Sequence, residues 1–312
     1  MKYKILLTST SFKDTPGIHH ELLKQLGFEI TRLRGPIKEK ELLEIIELYD
    51  GMICGDDEIT RAVIEKGLTG KLRVISKYGI GLDKVDLQAA REFGIHVTNC
   101  PGVNQVTVAE HVFALLLSFV KNIVSESNYI KNQKWIRTIG TELSGKTIGI
   151  LGMGNVGKEV AKRASIFDMK VIGFDKFKDE IFSQKYNIKY AETIEELLVQ
   201  CDIISLNMSL NAETEGIIGE RALTLMKDGV IIVNTARAGL VQQDVIIKGI
   251  ESGKINGYLT DVLEEEPMVK DHAFLKFDKI LITPHIGSRT FENVVKQATL
   301  SIENLVKYLN TN

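Results

Sequence analysis

Short apolar runs alternate with longer stretches of helical periodicity along almost the whole chain. In the first third, Tyr3–Thr8, Gly51–Cys54, Arg73–Ser76 and His96–Thr98 have the length and composition of buried strands. Between them, Ile18–Leu26 and Lys38–Tyr49 carry apolar residues at helical spacing. The scheme returns from residue 147 onward. Strands are predicted at Thr147–Leu151, Val171–Phe174, Ile203–Asn207, Val230–Asn234, Tyr258–Val262 and Ile280–Thr283. Helices are predicted at Val156–Phe167, Ile194–Gln200, Glu220–Met226, Gln242–Ser252 and Phe291–Leu309. Apolar strands that alternate with helices predict an α/β protein whose parallel sheets are covered on both faces.

The chain has 312 residues, more than one hydrophobic core usually organises, so two domains are expected. The turn-forming cluster Asn99-Cys100-Pro101-Gly102 closes the first series of elements. After it, Val106–Val124 carries Val108, Val112, Leu115, Leu116 and Phe119 on one face and Ala109, Phe113, Leu117 and Val120 on another. A helix apolar nearly all round must be buried on several sides, between domains or against a second subunit. Its central run, Val112–Val120, is too short to span a bilayer, and the amino-terminal run Ile5-Leu6-Leu7 is a strand and not a signal peptide. No membrane association is therefore expected.

Composition narrows the function classes. Lys and Arg total 39 against 41 Asp and Glu, a formal charge of −2, which lacks the basic footprint of a nucleic-acid binder. Cys54, Cys100 and Cys201 are unpatterned and suggest neither a disulfide framework nor a metal site, so free buried thiols in a reducing, cytoplasmic setting are expected. His19-His20 is expected to be solvated. His96 and His272 have no ligand partner at metal spacing, and His111, on the buried helix, suits packing.

The strand Thr147–Leu151 runs directly into Gly152-Met153-Gly154-Asn155-Val156-Gly157, and a helical pattern follows at once. In that context Gly152 permits a tight turn, Gly154 lets backbone approach a pyrophosphate, and Gly157 lets the helix pack against the strand. The helix amino terminus supplies unpaired N–H groups to the phosphates. The next strand ends at Asp175, about 20 residues on, where an acid binds both ribose hydroxyls and repels a 2′-phosphate. NAD is the expected cofactor. Lys176 and Lys178 count against a strict choice, and S-adenosylmethionine is an alternative ligand for such a turn.

Hydride exchange between a hydroxy acid and a nicotinamide requires a cation for the carboxylate, a group that moves the hydroxyl proton, and an acid to hold that group if it is histidine. Arg237, Glu266 and His285 each follow a predicted strand, on the side where ligands bind in open α/β sheets. Singly, each has an ordinary explanation as a surface arginine, a solvated acid and a capping histidine. Together, downstream of a cofactor turn, they read as a catalytic set.

At this point the sequence resembles the D-2-hydroxyacid dehydrogenase family, and most closely its phosphoglycerate-dehydrogenase-like branch. The matching stretches are Ser76–Asp86, Asn99–Asn104 with Val108–His111, Gly149–Gly157, Asn234–Gly239, Asp261–Pro267 and Thr283–Ser288. The resemblance implies two doubly wound, Rossmann-like domains, the substrate domain being split around the cofactor domain. Residues 1–100 with 288–312 would form the first and 101–287 the second, with an interface helix at about 104–124 that suggests a homodimer. It implies that Arg237 binds the substrate carboxylate and carbonyl, that His285 is the acid/base, and that Glu266 is its partner. Lys77, Tyr78, Gly79 and Asn104 would contact substrate. Ile80, Asn155, Val156, Asp175, Met208, Thr235, Ala236, Asp261 and Ser288 would line NAD alongside the three glycines, Arg237 and His285. No metal is implied.

The substrate is expected to be a small 2-hydroxy or 2-oxo acid. Phosphoglycerate-specific relatives commonly carry arginine where this chain has Gly55, and often at the position of Lys77. Loss of one cation weakens the case for 3-phosphoglycerate, and Lys77 keeps it open. Glyoxylate or hydroxypyruvate reduction is the alternative. The end of the chain at residue 312 leaves no room for an appended regulatory domain, so serine control is not expected. A non-catalytic NAD-sensing regulator is the rival outside enzymology, and a methyltransferase is a third reading.

Overall fold

The computed structural model describes residues 2–310 and resolves two compact units, Met1–Asn104 with Arg289–Asn312, and Gln105–Ser288. The crossings lie slightly beyond the positions read from the sequence. The turn at Asn99–Gly102 stays with the first unit, because Cys100 donates its N–H to Gly79 O and Asn304 donates to Asn99 O.

The first unit holds β1 (Lys4–Leu7), β2 (Glu29–Arg32), β3 (Gly51–Cys54), β4 (Val74–Lys77) and β5 (His96–Thr98). All are parallel, in the order β2-β1-β3-β4-β5. Successive side chains of a strand point to opposite faces. Thus Leu6, Met52 and Ile75 enter one core with the helix Arg61–Thr69, while Ile5, Leu7, Ile53 and Val74 enter another with Phe12, Val294, Ile302 and Leu305. Each such fully buried aliphatic contributes about 1.5–3 kcal/mol relative to exposure.

The second unit holds β6 (Thr147–Leu151), β7 (Lys170–Phe174), β8 (Lys189–Tyr190), β9 (Ile203–Leu206), β10 (Val230–Asn234), β11 (Ile255–Thr260) and β12 (Ile280–Ile282). They too are parallel, in the order β12-β11-β10-β9-β6-β7-β8. The strand order reverses between β6 and β9, the position at which doubly wound sheets open a ligand crevice. Helices Gln105–Val120 and Asn155–Ile166 cover one face through Val112, Leu116, Val160 and Ala164. Leu197, Leu223, Val245 and Ile250 cover the other.

Three expectations need correction. The helix predicted over 106–124 ends at Val120, Asn122 turns into the left-handed region at φ 56, and a second helix runs Ile123–Lys131. Asparagine tolerates that conformation, so it serves as the break. The first helix finds its burial inside its own unit, where Ala109, Val112, Phe113, Leu115, Leu116 and Val120 join the core. The exposed apolar side chains come later, at Ile123, Val124, Ile130, Trp135, Ile136 and Ile139. His19 is not solvated but fully buried, its Nε2 3.0 Å from Phe12 O and its ring edge-on to Phe12. The helix Ile18–Gln25 packs its His19 and Leu23 face inward, and burial lowers the His19 pKa.

Cys54, Cys100 and Cys201 are free and buried, and burial raises their thiols to about 12, 11 and 12. Among the described residues no single helix is long and apolar enough to cross a membrane.

Candidate active site

β6 delivers the chain into the glycine turn. Gly152 sits at φ +93, and a Cβ there would lie 2.8 Å from the backbone of Asn207 and Met208, which follow β9. A Cβ on Gly157 would meet Gly152 O at 2.0 Å, so helix and turn close on each other only with glycine. A Cβ on Gly154, by contrast, would meet nothing within 4 Å. Open space lies where a pyrophosphate would approach the backbone. The helix Asn155–Ile166 begins there with Gly154 as its N-cap and no side-chain cap, leaving its first N–H groups and its positive dipole end for an anion. The turn therefore fits a dinucleotide.

Asp175 follows β7 and fixes this turn from the side. Its Oδ2 accepts from Met153 N at 2.7 Å and its Oδ1 from Phe177 N at 3.0 Å. The two neighbouring lysines are both engaged, Lys176 by Glu213 and Lys178 by Glu192 at 2.7 Å. Next to Phe174 a cavity of about 330 Å³ is lined by Phe174, Ile194, Leu198, Ile217, Ala222 and Leu225, with Glu192 and Arg221 among its polar residues. Asn207, which the sequence reading passed over, closes the reversal point. It donates N–H to Leu151 O and its amide to Ser205, while its Oδ1 has no partner among the described residues.

The proposed catalytic residues follow β10, β11 and β12, three adjacent strands whose ends are in register: Asn234 lies opposite Thr260, and Thr260 opposite Ile282. The fully buried Asn234 shapes the first loop. Its Oδ1 accepts from Ala236 N at 3.1 Å and its Nδ2 donates to Arg237 O at 2.9 Å. Arg237 leaves in extended backbone, with Nη1 2.7 Å from Ala236 O. Glu266 receives Leu263 N on Oε1 and meets His285 Nδ1 with Oε2 at 2.8 Å. This pair is about one-third exposed, open enough for exchange with a ligand.

His285 has φ +53, a left-handed conformation that costs a non-glycine residue about 1 kcal/mol or more and persists only where its surroundings impose it. The imposing group is Asp261. Its Oδ1 accepts from Thr283 Oγ1 at 2.6 Å and Ile286 N at 2.9 Å, and its Oδ2 from Gly287 N at 2.7 Å. His111 Nε2 lies 2.9 Å from Thr283 Oγ1 and 3.4 Å from Asp261 Oδ1. Burial pushes the Asp261 carboxyl up, but the hydrogen bonds from His111, Thr283 and the two backbone amides outweigh it and hold the pKa below the ordinary value. Asp261, read from the sequence as lining the dinucleotide, thus gives both oxygens to the loop that carries His285. His111, read as packing, belongs to the same bracket.

In the first unit, Lys77, Tyr78, Gly79 and Ile80 end β4 and enter the loop beyond it. The carbonyls of Gly79 and Ile80 are taken by Cys100 N at 2.8 Å and Asn99 Nδ2 at 2.8 Å. Lys77 is buried and ion-paired to Asp56 at 2.6 Å. Asn104 ends the first segment of the unit, and its Oδ1 has no partner among the described residues.

Residues 113–287, most of the second unit, match the sequence model described as "D-isomer specific 2-hydroxyacid dehydrogenase, NAD binding domain". The chain belongs to this family of dehydrogenases. It is 37% identical over 278 residues to the hydroxypyruvate reductase of Thermotoga maritima, covering 88% of this chain and 89% of that protein. It is also 37% identical over 309 residues to the D-3-phosphoglycerate dehydrogenase of Methanocaldococcus jannaschii, covering 98% of this chain and 57% of that one. This chain thus spans about half the length of such phosphoglycerate dehydrogenase relatives. Among solved structures, the TT0316 protein of Thermus thermophilus superposes with a TM-score of 0.88 at 34% identity, over 98% of this chain and 96% of that one. Membership in the family makes the glycine turn and its uncapped helix part of an NAD-binding domain.

Proposed function

We propose that this chain is an NAD-dependent D-2-hydroxyacid dehydrogenase acting on C2 of a small 2-hydroxy or 2-oxo acid. The pairing of Glu266 with His285 carries this reading, because a histidine fixed by a carboxylate beyond a nucleotide-binding turn is built to move a proton. Bound NAD supplies the hydride acceptor or donor. His285 takes the proton of the C2 hydroxyl in oxidation and returns it to the carbonyl oxygen in reduction. Glu266 accepts a hydrogen bond from Nδ1–H, which sets the tautomer and stabilises the imidazolium when it forms. Arg237 holds the substrate carboxylate and polarises the carbonyl, a task suited to a planar bidentate donor.

The first unit serves as the substrate domain. Lys77, Tyr78, Gly79 and Asn104 are its candidate substrate contacts; the carbonyls of Gly79 and Ile80 are already occupied, which leaves the N–H groups of this loop as its candidate donors to a carboxylate. Met208, Thr235, Ala236 and Ser288 complete the dinucleotide site, and the cavity beside Phe174 suits its adenine. NAD is preferred over NADP, because Asp175 would face a 2′-phosphate while Lys176 and Lys178 are committed to Glu213 and Glu192. The exposed apolar side chains from Ile123 to Ile139 support pairing of two copies of the chain into a homodimer. A cytoplasmic location suits the three reduced thiols.

Loss of NADH absorbance is the direct test, read with glyoxylate, hydroxypyruvate, pyruvate and 3-phosphohydroxypyruvate, each also with NADPH. Turnover of at least one acid with NADH is expected. Tight dinucleotide binding with no turnover of any acid would return the chain to the sensing class.

A further inference from the structure

The terminal helix Phe291–Leu309 carries two inward stripes of different chemistry. Val294, Ala298, Ile302, Leu305 and Leu309 recur at helical spacing and join the apolar core of the first unit. Beside them, also at helical spacing, runs a polar stripe of Asn293, Gln297, Ser301 and Asn304. Asn293, Gln297 and Ser301 are buried, and burying amides and hydroxyls is costly unless they are hydrogen-bonded. Asn293 Nδ2 donates to Gln297 Oε1 at 3.1 Å, and Ser301 O accepts from Ser76 Oγ of β4 at 2.8 Å. The other bonds of the stripe lead to one turn, Asn99-Cys100. Asn304 Nδ2 donates to Asn99 O at 2.9 Å, across 205 residues of sequence. The Cys100 thiol stands 3.5 Å from Gln297 O and 3.4 Å from Lys77 O, and burial keeps it protonated, so it donates to one or the other.

That turn holds the loop beyond β4 by its carbonyls. Cys100 N donates to Gly79 O at 2.8 Å, and Asn99 Nδ2 donates to Ile80 O at 2.8 Å. Both peptides are trans, and a planar trans peptide points its N–H opposite to its C=O. Holding Gly79 O therefore fixes the direction of the Ile80 N–H, and holding Ile80 O fixes that of the Gly81 N–H. Glycine on either side of Ile80 leaves these peptides free to rotate unless something outside the loop restrains them.

We propose that Asn99 and Asn304 are positioning residues, which hold the loop Lys77–Gly81 so that the Ile80 and Gly81 N–H groups keep one fixed orientation. This deepens the dehydrogenase reading and rests on it, because those N–H groups are the loop's donors to a substrate carboxylate. Asn99 acts on the loop directly, and Asn304 acts through Asn99 by fixing the turn from the terminal helix.

The test uses Asn99→Leu and Asn304→Leu in the full chain, neutral exchanges of nearly the same shape that lose the donor. With NADH and whichever 2-oxo acid the unmodified protein reduces, KM for the acid should rise at least about tenfold in Asn99→Leu and about threefold in Asn304→Leu. In both, kcat should stay within about threefold and NADH affinity within about twofold. Asn99→Gln, which keeps an amide donor, should recover part of the lost KM. Ile302→Val, on the apolar stripe of the same helix, should lower the melting temperature and leave KM unchanged. Hydrogen exchange reads the same clamp without any reaction. The Cys100 N–H, bonded to Gly79 O, should exchange at least about threefold faster in both leucine variants, while amides of the helix Arg61–Thr69 keep their rates. A KM unmoved in both leucine variants, or raised as much by Ile302→Val, overturns the proposal, and so does an unchanged Cys100 rate. If the unmodified protein turns over no acid, the dehydrogenase reading is what fails, and the Cys100 rate alone decides whether the two asparagines hold the loop.

Discussion

The two sheets end in loops of different character. Beyond β10 to β12, polar side chains are spent on fixing backbone: Asn234 holds the Arg237 loop, and Asp261, Thr283 and His111 hold the His285 loop. Beyond β3 and β4, the polar side chains are charged and nearly all compensated in place: Lys77 bonds Asp56 and Gly55 O, and Asp57 bonds Thr8, Ile37 N and Gly55 N. The first arrangement fixes the position of a few reactive atoms. The second compensates charges at the end of a sheet. A proton-transferring group needs placement to within a few tenths of an ångström, whereas an ion pair stays compensated over a looser range of geometry.

The largest test of this contrast is His285→Ala, expected to lower kcat about 10²- to 10⁴-fold while NADH affinity, read by fluorescence quenching, stays within about threefold. Comparable turnover in the variant would place the proton relay elsewhere. Gly154→Ala separates binding from folding. The open space around that position predicts an unchanged melting temperature with NADH binding weakened at least about tenfold, since a methyl group enters the phosphate approach. Gly152→Ala should fail differently, by instability, because its φ and the Asn207 backbone both exclude a side chain.

Asp261→Asn is expected to cost about 3 kcal/mol of stability near neutral pH, as charge-assisted bonds to Thr283, Ile286 and Gly287 weaken. The folded-state pKa of Asp261 lies below its unfolded value, so its stabilisation is fully present above the ordinary carboxylate range and is lost as pH falls through the folded pKa. Melting curves of wild type and variant should therefore converge toward low pH, and a constant gap across pH would mean that the carboxylate charge is not what holds the loop. The smallest effect is expected from His111→Gln, a loss of about 1 kcal/mol read by denaturant unfolding, with kcat reduced a few-fold.

Much of both sheets was legible because buried parallel strands are continuous apolar runs, and β3, β5, β6 and β10 have the bounds that their composition predicts. The edge strands β2 and β8 escaped, since Glu29–Arg32 and Lys189–Tyr190 are half-exposed and carry one apolar side chain apiece or little more. The break at Asn122 was hidden because a single left-handed residue leaves no mark on apolar periodicity. At the site, the glycine turn and the residues following strands could be read from order along the chain. The Asp261 bracket could not, since it joins positions 111, 261, 283, 286 and 287 that only the sheet brings together. The Asp56–Lys77 pair escaped for the same reason: β3 and β4 meet only in the folded sheet.

The left-handed backbone at His285 has a consequence for anyone who tries to harden this protein against heat. Glycine adopts that conformation without penalty, so a campaign that ranks variants by survival alone would be drawn to position 285 and would discard the imidazole. Libraries meant to improve durability should keep that codon fixed, or score every survivor for turnover as well.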